Sequence, residues 1–375
     1  MPRKRNTELK ILELIGECGV VRRQTLHLLP YHTVTINTTL RKMMESGLIV
    51  QSQTGYQKHY ILTQYGKEFL CANSPSYRAH EFLPAKVQSD SWQRLLLTAD
   101  VAIILEQAGY VVREHKRPAL NNLNIANCTQ GGFYYPATEL KQFLGGNAPS
   151  LQYSRICGAL ITSNCAYLTY HTRDVAMELR KNGEDNVAAL VRSKICRKIA
   201  YLIFGDREML SFEKIIRNTM EPDSMENKLR GIGKDKKKSH QLTQLLNATT
   251  FGKTVHYFPI REEAVKIITI IGQHRGFESM KASMLERALL GRDYSFLREN
   301  LYKTDGEYLF YAADMDLCQI GNTLKNLSCY LKNGIVTVIC LEWQKAALRR
   351  IFECYFRGYG NYRYLAMDIY RLNKE

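Results

Sequence analysis

Two short runs in this 375-residue chain bring acids close to a lysine. PATELK offers Glu139-x-Lys141, and PDSMENK offers Asp223, Glu226 and Lys228. Paired carboxylates and a lysine around Mg²⁺ are the equipment of phosphodiester hydrolysis, because the metal stabilises developing charge and activates water. Such a site needs the first acid and the Glu-x-Lys on neighbouring strands, so that all three groups meet one ion. Neither run reads as a strand. The first precedes Phe143 in a turn-rich region, and the second lies in a polar loop with its acids three apart. Solvated loops account for both.

Isolated acids and glycine-rich runs elsewhere in the chain have equally plain readings. Asp206 follows the apolar run YLIFG and precedes a helix, where a carboxylate caps free backbone N–H groups. Asp314 and Asp316, after YLFYAA, read alike. GIGKDKKKS lacks the spacing of a phosphate loop, and FGKT has Asn247 where the upstream glycine should stand. Nine histidines are scattered, and the ten cysteines never come closer than eight residues, which removes CxxC pairs. Buried free thiols in a reducing compartment are the expectation. No catalytic residue, metal site or cofactor is assigned, and the chain is expected not to be an enzyme.

The elements that would position functional groups are clearest near the start. TELKILELIGECGVV carries Leu9, Ile11, Leu12, Leu14 and Ile15 at helical spacing, capped by Thr7 and ended by Gly16 and Gly19. RRQTLHLLP is a second short helix stopped by Pro30. YHTVTINTTLRKMMESG is a third, with Val34, Ile36 or Asn37, Leu40 and Met43 or Met44 inward and Gly47 closing it. Strands at 48–52 and 58–62 follow, turning near Thr54-Gly55. Three helices and a hairpin make a winged helix-turn-helix. Short hydroxyl and amide groups on the third helix, Thr33, Thr35, Asn37 and Thr38, suit base edges or phosphates, as do Arg41 and Lys42. The wing offers Tyr56, Lys58 and His59. A basic arm, Arg3-Lys4-Arg5, would lie along phosphates or in a minor groove.

The string LRKMMESGLIVQSQTGYQKHYILTQYGKEFL resembles the core of bacterial and archaeal winged-helix regulators. Their recognition helix ends in Leu-x-x-x-Gly-Leu-Ile or a close variant, and their wing closes with Tyr-x-Leu-Thr-x-x-Gly. Tyr60, Leu62, Thr63 and Gly66 occupy that closing pattern, and the resemblance covers residues 7–70. It implies major-groove contacts from Thr35, Asn37, Thr38 and Arg41, with Lys58 on the wing.

Composition agrees with a polyanionic partner. Lys and Arg number 52 against 36 Asp and Glu, a formal net charge of +16. No apolar run approaches the roughly 18 residues that span a bilayer, and MPRKRNTELK leads into no signal segment. A cytoplasmic protein without membrane contact is expected.

Beyond residue 70, Pro75 and Pro84 mark a linker over 71–90. Residues 91–149 read as a helical connector or dimerisation segment, because SWQRLLLTADVAIILEQAGYVV is apolar on more than one face. From 150 to 375, strands at 201–206, 256–260, 308–314 and 335–341 alternate with helices. A hairpin turning near Ser163-Asn164 precedes them, NGE at 182–184 and KLRGIGKDKKKSH at 228–240 are loops, and no internal repeat is visible. The fold class is therefore α+β or α/β: a winged helix-turn-helix, then an α/β domain with a mixed sheet. That organisation resembles the replication-relaxation proteins of Gram-positive plasmids and conjugative elements, whose second domain is a degenerate nuclease-like fold. The resemblance implies control of replication, transfer or transcription on a mobile element. The leading expectation is a sequence-specific binder of double-stranded DNA, working as a homodimer with seams in 91–108 and the aromatic C-terminal stretch. A metal-dependent nuclease aimed by its winged helix and a non-enzymatic nucleoprotein adaptor are the alternatives.

Overall fold

The computed structural model describes residues 2–54, 57–78, 80, 82, 89–125, 128, 131–145, 151, 154–172, 178–220, 243–245, 254–272, 276–298 and 300–368. For 2–6, 53, 54, 57, 89–92, 178–182, 243–245 and 272 it describes the backbone alone. The chain is mixed α and β, with two five-stranded mixed sheets.

The first module is built from α1 (Pro2–Cys18), β1 (Val21–Arg22), α2 (Arg23–Leu26), α3 (Thr33–Glu45), β2 (Ile49–Thr54), β3 (Gln57–Leu62) and α4 (Gln64–Asn73). Its sheet runs β1-β3-β2, antiparallel throughout, with Val21 opposite Tyr60 and Ile49 opposite Leu62. Ile11, Leu12, Ile15, Ile36, Leu40 and Met43 fill its core. Two residues of α5 (Ser89–Gln107), Ala99 and Ile103, complete that core. The module is therefore not an independent bead on a linker. Within the expected linker, Tyr77 is buried, and its ring stacks on Phe82 at 6.4 Å.

After α5 come β4 (Phe133–Pro136), α6 (Ala137–Gly145), β5 (Gly158–Ile161), β6 (Ala166–His171), β7 (Glu178–Arg180), α7 (Lys181–Lys194), β8 (Ile199–Gly205), α8 (Leu210–Met220), β9 (Thr243–Leu245) and β10 (Val255–Pro259). Then follow α9 (Glu262–Thr269), α10 (Gly276–Leu289), β11 (Ser295–Arg298), β12 (Leu301–Thr304), β13 (Glu307–Tyr311), α11 (Leu317–Asn333), β14 (Ile335–Leu341), α12 (Glu342–Tyr355) and β15 (Tyr362–Met367). The segment 91–149 thus supplies a strand to the body rather than connecting to it. The NGE expected to be a loop lies in α7. There Glu184 accepts from Ser154 Oγ, the Arg155 N–H and Tyr170 OH, each at 2.7 Å, and this buried carboxylate fixes the helix start.

The two large sheets share one plan. In the order β4-β5-β6-β8-β10, the first three strands form an antiparallel meander and the last two add in parallel. In β11-β12-β13-β14-β15 the same meander is followed by the same two parallel additions. A helix precedes each meander, α5 and α10, and helices span the parallel steps, α7 and α8 in one and α11 and α12 in the other. Layering repeats too. Apolar residues of α7, α8, α11 and α12 pack one face of both sheets, and those of α5, α9 and α10 pack the other. The Tyr257 N–H donates to Met315 O at 3.1 Å and joins the two units. The body is a tandem structural repeat, which the sequence conceals because what recurs is apolar patterning rather than particular residues.

Of the two expected dimer seams, the helical one is closed, while the C-terminal one presents β15, a half-exposed strand at the edge of its sheet. Val101, Ile104 and Leu105 of α5 are fully buried, and Phe352 is buried against Phe356, Tyr362 and Tyr364.

Candidate nucleic-acid interface

Helix α3 is pinned by Ile36, Leu40 and Met43, whose spacing places all three against α1 and the small sheet. Thr35, Arg41 and Lys42 face solvent, as does Thr33 at the helix start, with Asn37 and Thr38 half-buried. Val34, expected inside, is 63% exposed as well. The helix starts one residue after His32, which accepts from the Val34 N–H, and this phase turns Val34 outward.

Three expected contacts change. Asn37 Oδ1 already accepts from Arg23 Nε at 3.0 Å and lies 3.1 Å from His27 Nε2, so it ties α2 to α3. His59 is 1% exposed because β3 turns it inward at the pair with Arg22, which removes it from the wing surface. Arg3, Lys4 and Arg5 lie in the first turns of α1 rather than in an extended arm, and their side chains are outside the described residues. Tyr56 is also outside them. Lys58 is exposed on β3. Arg41 lies 3.8 Å from Glu45 on an open helix face, a pairing worth only a few tenths of a kcal/mol, about 0.3–0.5, and easily exchanged for a phosphate or base.

The module is tied to the body through buried charge. Asp100 on α5 accepts from Thr25 Oγ1, lies 3.3 Å from Arg22 Nη1 and 3.3 Å from His171 Nε2 on β6. A second tie runs through Arg113. Its guanidinium donates to Glu106 and to Glu13 of α1 at 2.7 Å each, and to Tyr77 OH at 3.2 Å. None of these residues stands out in sequence, because their meaning depends on a contact between distant segments.

The acids with a potential for chemistry have structural partners. Glu139 forms a two-point pair with Arg117 at 2.8 and 2.6 Å, and Lys141 donates to Ser154 O. Asp206 accepts from the N–H groups of Leu210 and Ser211 at 2.7 Å each, as a helix cap should. The run at 222–228 is outside the described residues. Among the described residues, no three His, Cys, Asp or Glu are grouped to hold a metal ion. No described helix is long and apolar enough to cross a membrane. The cysteines are free thiols, and burial pushes those of Cys157, Cys165 and Cys340 up to about 12.

Asp316 caps α11 by accepting from Cys318 and Gln319 N–H groups. Burial pushes its carboxyl up to about 6 from 3.8, Asp314 adds to the rise, and His256 and the capped N–H groups oppose it. The folded chain therefore holds this proton more tightly than the unfolded chain. The corresponding stabilisation is full below the unfolded value near 4 and is lost as pH rises through about 6. Asp316→Asn keeps a capping oxygen without the charge. Its stability relative to the original chain should rise between pH 4 and 6 and level off above, by up to about 3 kcal/mol. Urea titrations at pH 4, 5, 6 and 7 measure the gap, and parallel curves for the two chains would contradict it.

Comparison of the chain with family models, curated proteins and solved structures returned no match.

Proposed function

We propose that this chain is a sequence-specific binder of double-stranded DNA, with α3 as the recognition helix of a winged helix-turn-helix and β2–β3 as its wing. The observation that carries the reading is the outer face of α3. Hydroxyls from Thr33, Thr35 and Thr38, a methyl surface from Val34 and cations from Arg41 and Lys42 stand on one rigidly held helix. A major groove presents acceptors, donors and thymine methyls, and these groups match all three. Asn37 is no longer a base reader in this proposal. Two-point pairing with adenine needs its amide oxygen, which Arg23 and His27 already engage.

The net charge of +16 supports a polyanionic partner. Function by binding rather than turnover fits the structural roles of Glu139, Asp206 and Asp316. Two-fold dimers would double the base contacts of one helix. Regulation of replication, transfer or transcription on a mobile element remains the biological setting that the resemblance to replication-relaxation proteins suggests, with the repeated body as a degenerate nuclease-like domain.

Two substitutions test the division of labour. Arg41→Ala should lose about 1–3 kcal/mol of discrimination at one base position. Lys58→Ala should weaken specific and scrambled duplexes alike and lower the salt slope by roughly one. Titrations of both variants on both duplexes over a range of salt separate these outcomes. Equal loss on the two duplexes for Arg41→Ala would make Arg41 a phosphate contact and leave base reading to the threonines and Val34.

A further inference from the structure

Two successive arginines at the start of α2 are held in opposite ways. Arg22 faces Asp100 at 3.3 Å, so its charge is neutralised in the joint with the body. Arg23, the first residue of α2, meets no acid among the described residues; its Nε donates to Asn37 Oδ1 at 3.0 Å. Asn37 is neutral, so the guanidinium keeps its full charge. Arginine has donors only, and the Asn37 amide must therefore turn its oxygen toward α2. His27 Nε2, 3.1 Å from the same oxygen, adds a second tie. The two terminal nitrogens of Arg23 have no hydrogen-bond partner among the described residues, and neither is buried. The fork is open to solvent while its root is fixed.

Helix α3 sets the place of that fork. Asn37 stands three residues after Val34 and four before Arg41, so the three share one flank of the helix. Val34 and Arg41 are exposed on it. Arg23 is thus beside the residues that would enter a groove. It is also near β3, where burial raises the Tyr60 hydroxyl above its ordinary value and the Arg23 cation opposes that rise. A helix seated in a major groove meets base edges with its outer face and has a sugar–phosphate strand along each flank. A planar fork suits the strand, because phosphate oxygens accept two parallel N–H bonds.

We propose that Arg23 is a phosphate clamp of the duplex site and that Asn37 is its positioning residue, fixing Nε so that the two terminal nitrogens meet one backbone phosphate. The inference rests on the reading of α3 as the recognition helix, and it adds a contact that carries no sequence information. It also gives Asn37 a purpose that base reading missed. The amide serves the duplex through Arg23 rather than by touching a base.

The test uses the full chain and two labelled duplexes, one selected by the wild-type chain from a random pool and its scrambled counterpart. Both are titrated by fluorescence anisotropy over a range of salt. In Arg23→Gln the glutamine Nε2 takes the place of the arginine Nε on an equally long stem. The tie to Asn37 and the melting temperature should survive, while the fork and its charge are lost. Arg23→Gln should weaken both duplexes about tenfold or more, the loss of a charge-assisted contact, and lower the salt slope by about 0.9. Asn37→Ala should weaken both duplexes with the slope unchanged, and should add nothing in a chain that already carries Arg23→Gln. Unchanged affinity and slope for Arg23→Gln overturn the proposal. So does a loss confined to the selected duplex, which would make Arg23 a base reader. An Asn37→Ala loss of equal size in both backgrounds overturns the positioning role and leaves Asn37 a tie between helices. Arg41→Ala, in the same titrations, reports on the α3 reading: lost discrimination there, with Arg23→Gln binding as wild type, sinks this proposal alone. A pool that yields no preferred sequence overturns the sequence-specific reading alone, and the Arg23 slope is then read on the unselected pool. A wild-type chain that binds no duplex overturns both.

Discussion

Asp100→Ala is expected to destabilise the protein by about 3–5 kcal/mol, the typical loss when one member of a buried charge pair is removed. Asp100 is 3% exposed and faces three partners from two parts of the fold. Arg22 and Thr25 come from the first module and His171 from the first large sheet. Without the carboxylate, the Arg22 cation stays in a confined space with no counter-charge at that point, and the Thr25 hydroxyl loses its acceptor. Asp100→Asn preserves an acceptor for Thr25 and removes the charge, so it should fall between wild type and Asp100→Ala. Urea unfolding at pH 7 orders the three chains. A loss below about 1 kcal/mol in Asp100→Ala, the range of exposed pairs, would show that the cluster is solvated and unimportant to the joint. The same geometry predicts that removing residues 1–88 uncovers Ala99, Ile103 and Asp100 of α5 together, so point substitutions on α3 are the better test of DNA reading.

The first module was legible because local signals and global packing agree there. Apolar residues at helical spacing gave α1 and α3, and Gly47, at φ +72°, ends α3 as expected. The hairpin around 55 and 56 was read to within two residues at each boundary. Misassignments arose where phase decides. A shift of one position on α3 exposed Val34, and the alternation along β3 buried His59. In the body, IVTVICL was read in full as β14, since a buried parallel strand is a continuous apolar run. Among the strands missed, together with β12 and β15, were β4 and β11. One is four residues of aromatic and proline, and the other is too polar at its ends to stand out. The tie residues Asp100 and Arg113 could not be found at all, because nothing local distinguishes an acid or an arginine that has a buried partner a hundred residues away.

Gly66→Ala should unfold the first module while leaving the body folded. Tyr60, Leu62, Thr63 and Gly66 were singled out as a pattern, and the structure supplies its physical cause. The Thr63 hydroxyl donates to Gly47 O at 2.6 Å and accepts from the Gly66 N–H at 2.9 Å, so one side chain closes α3 and opens α4. That arrangement brings α4 against the start of β2. A Cβ at residue 66 would lie 1.9 Å from the Leu48 carbonyl oxygen and 2.9 Å from its carbonyl carbon. Both are backbone atoms, so no rotamer change relieves the overlap. Leu48 itself is held by its N–H to Met43 O, and its carbonyl accepts from the Thr63 N–H. Either α4 moves off the sheet or the α3–β2 turn opens, and the cost should exceed the roughly 1–3 kcal/mol of ordinary overpacking. Neither α4 nor β2 contributes to the large sheets. Hydrogen exchange should therefore lose protection over residues 10–70 and keep it over 158–171 and 335–352, with the duplex binding proposed for α3 lost in parallel. Protection unchanged over 10–70, together with undiminished binding, would mean that the contact between Gly66 and Leu48 is not close, and the explanation of the pattern would fall with it.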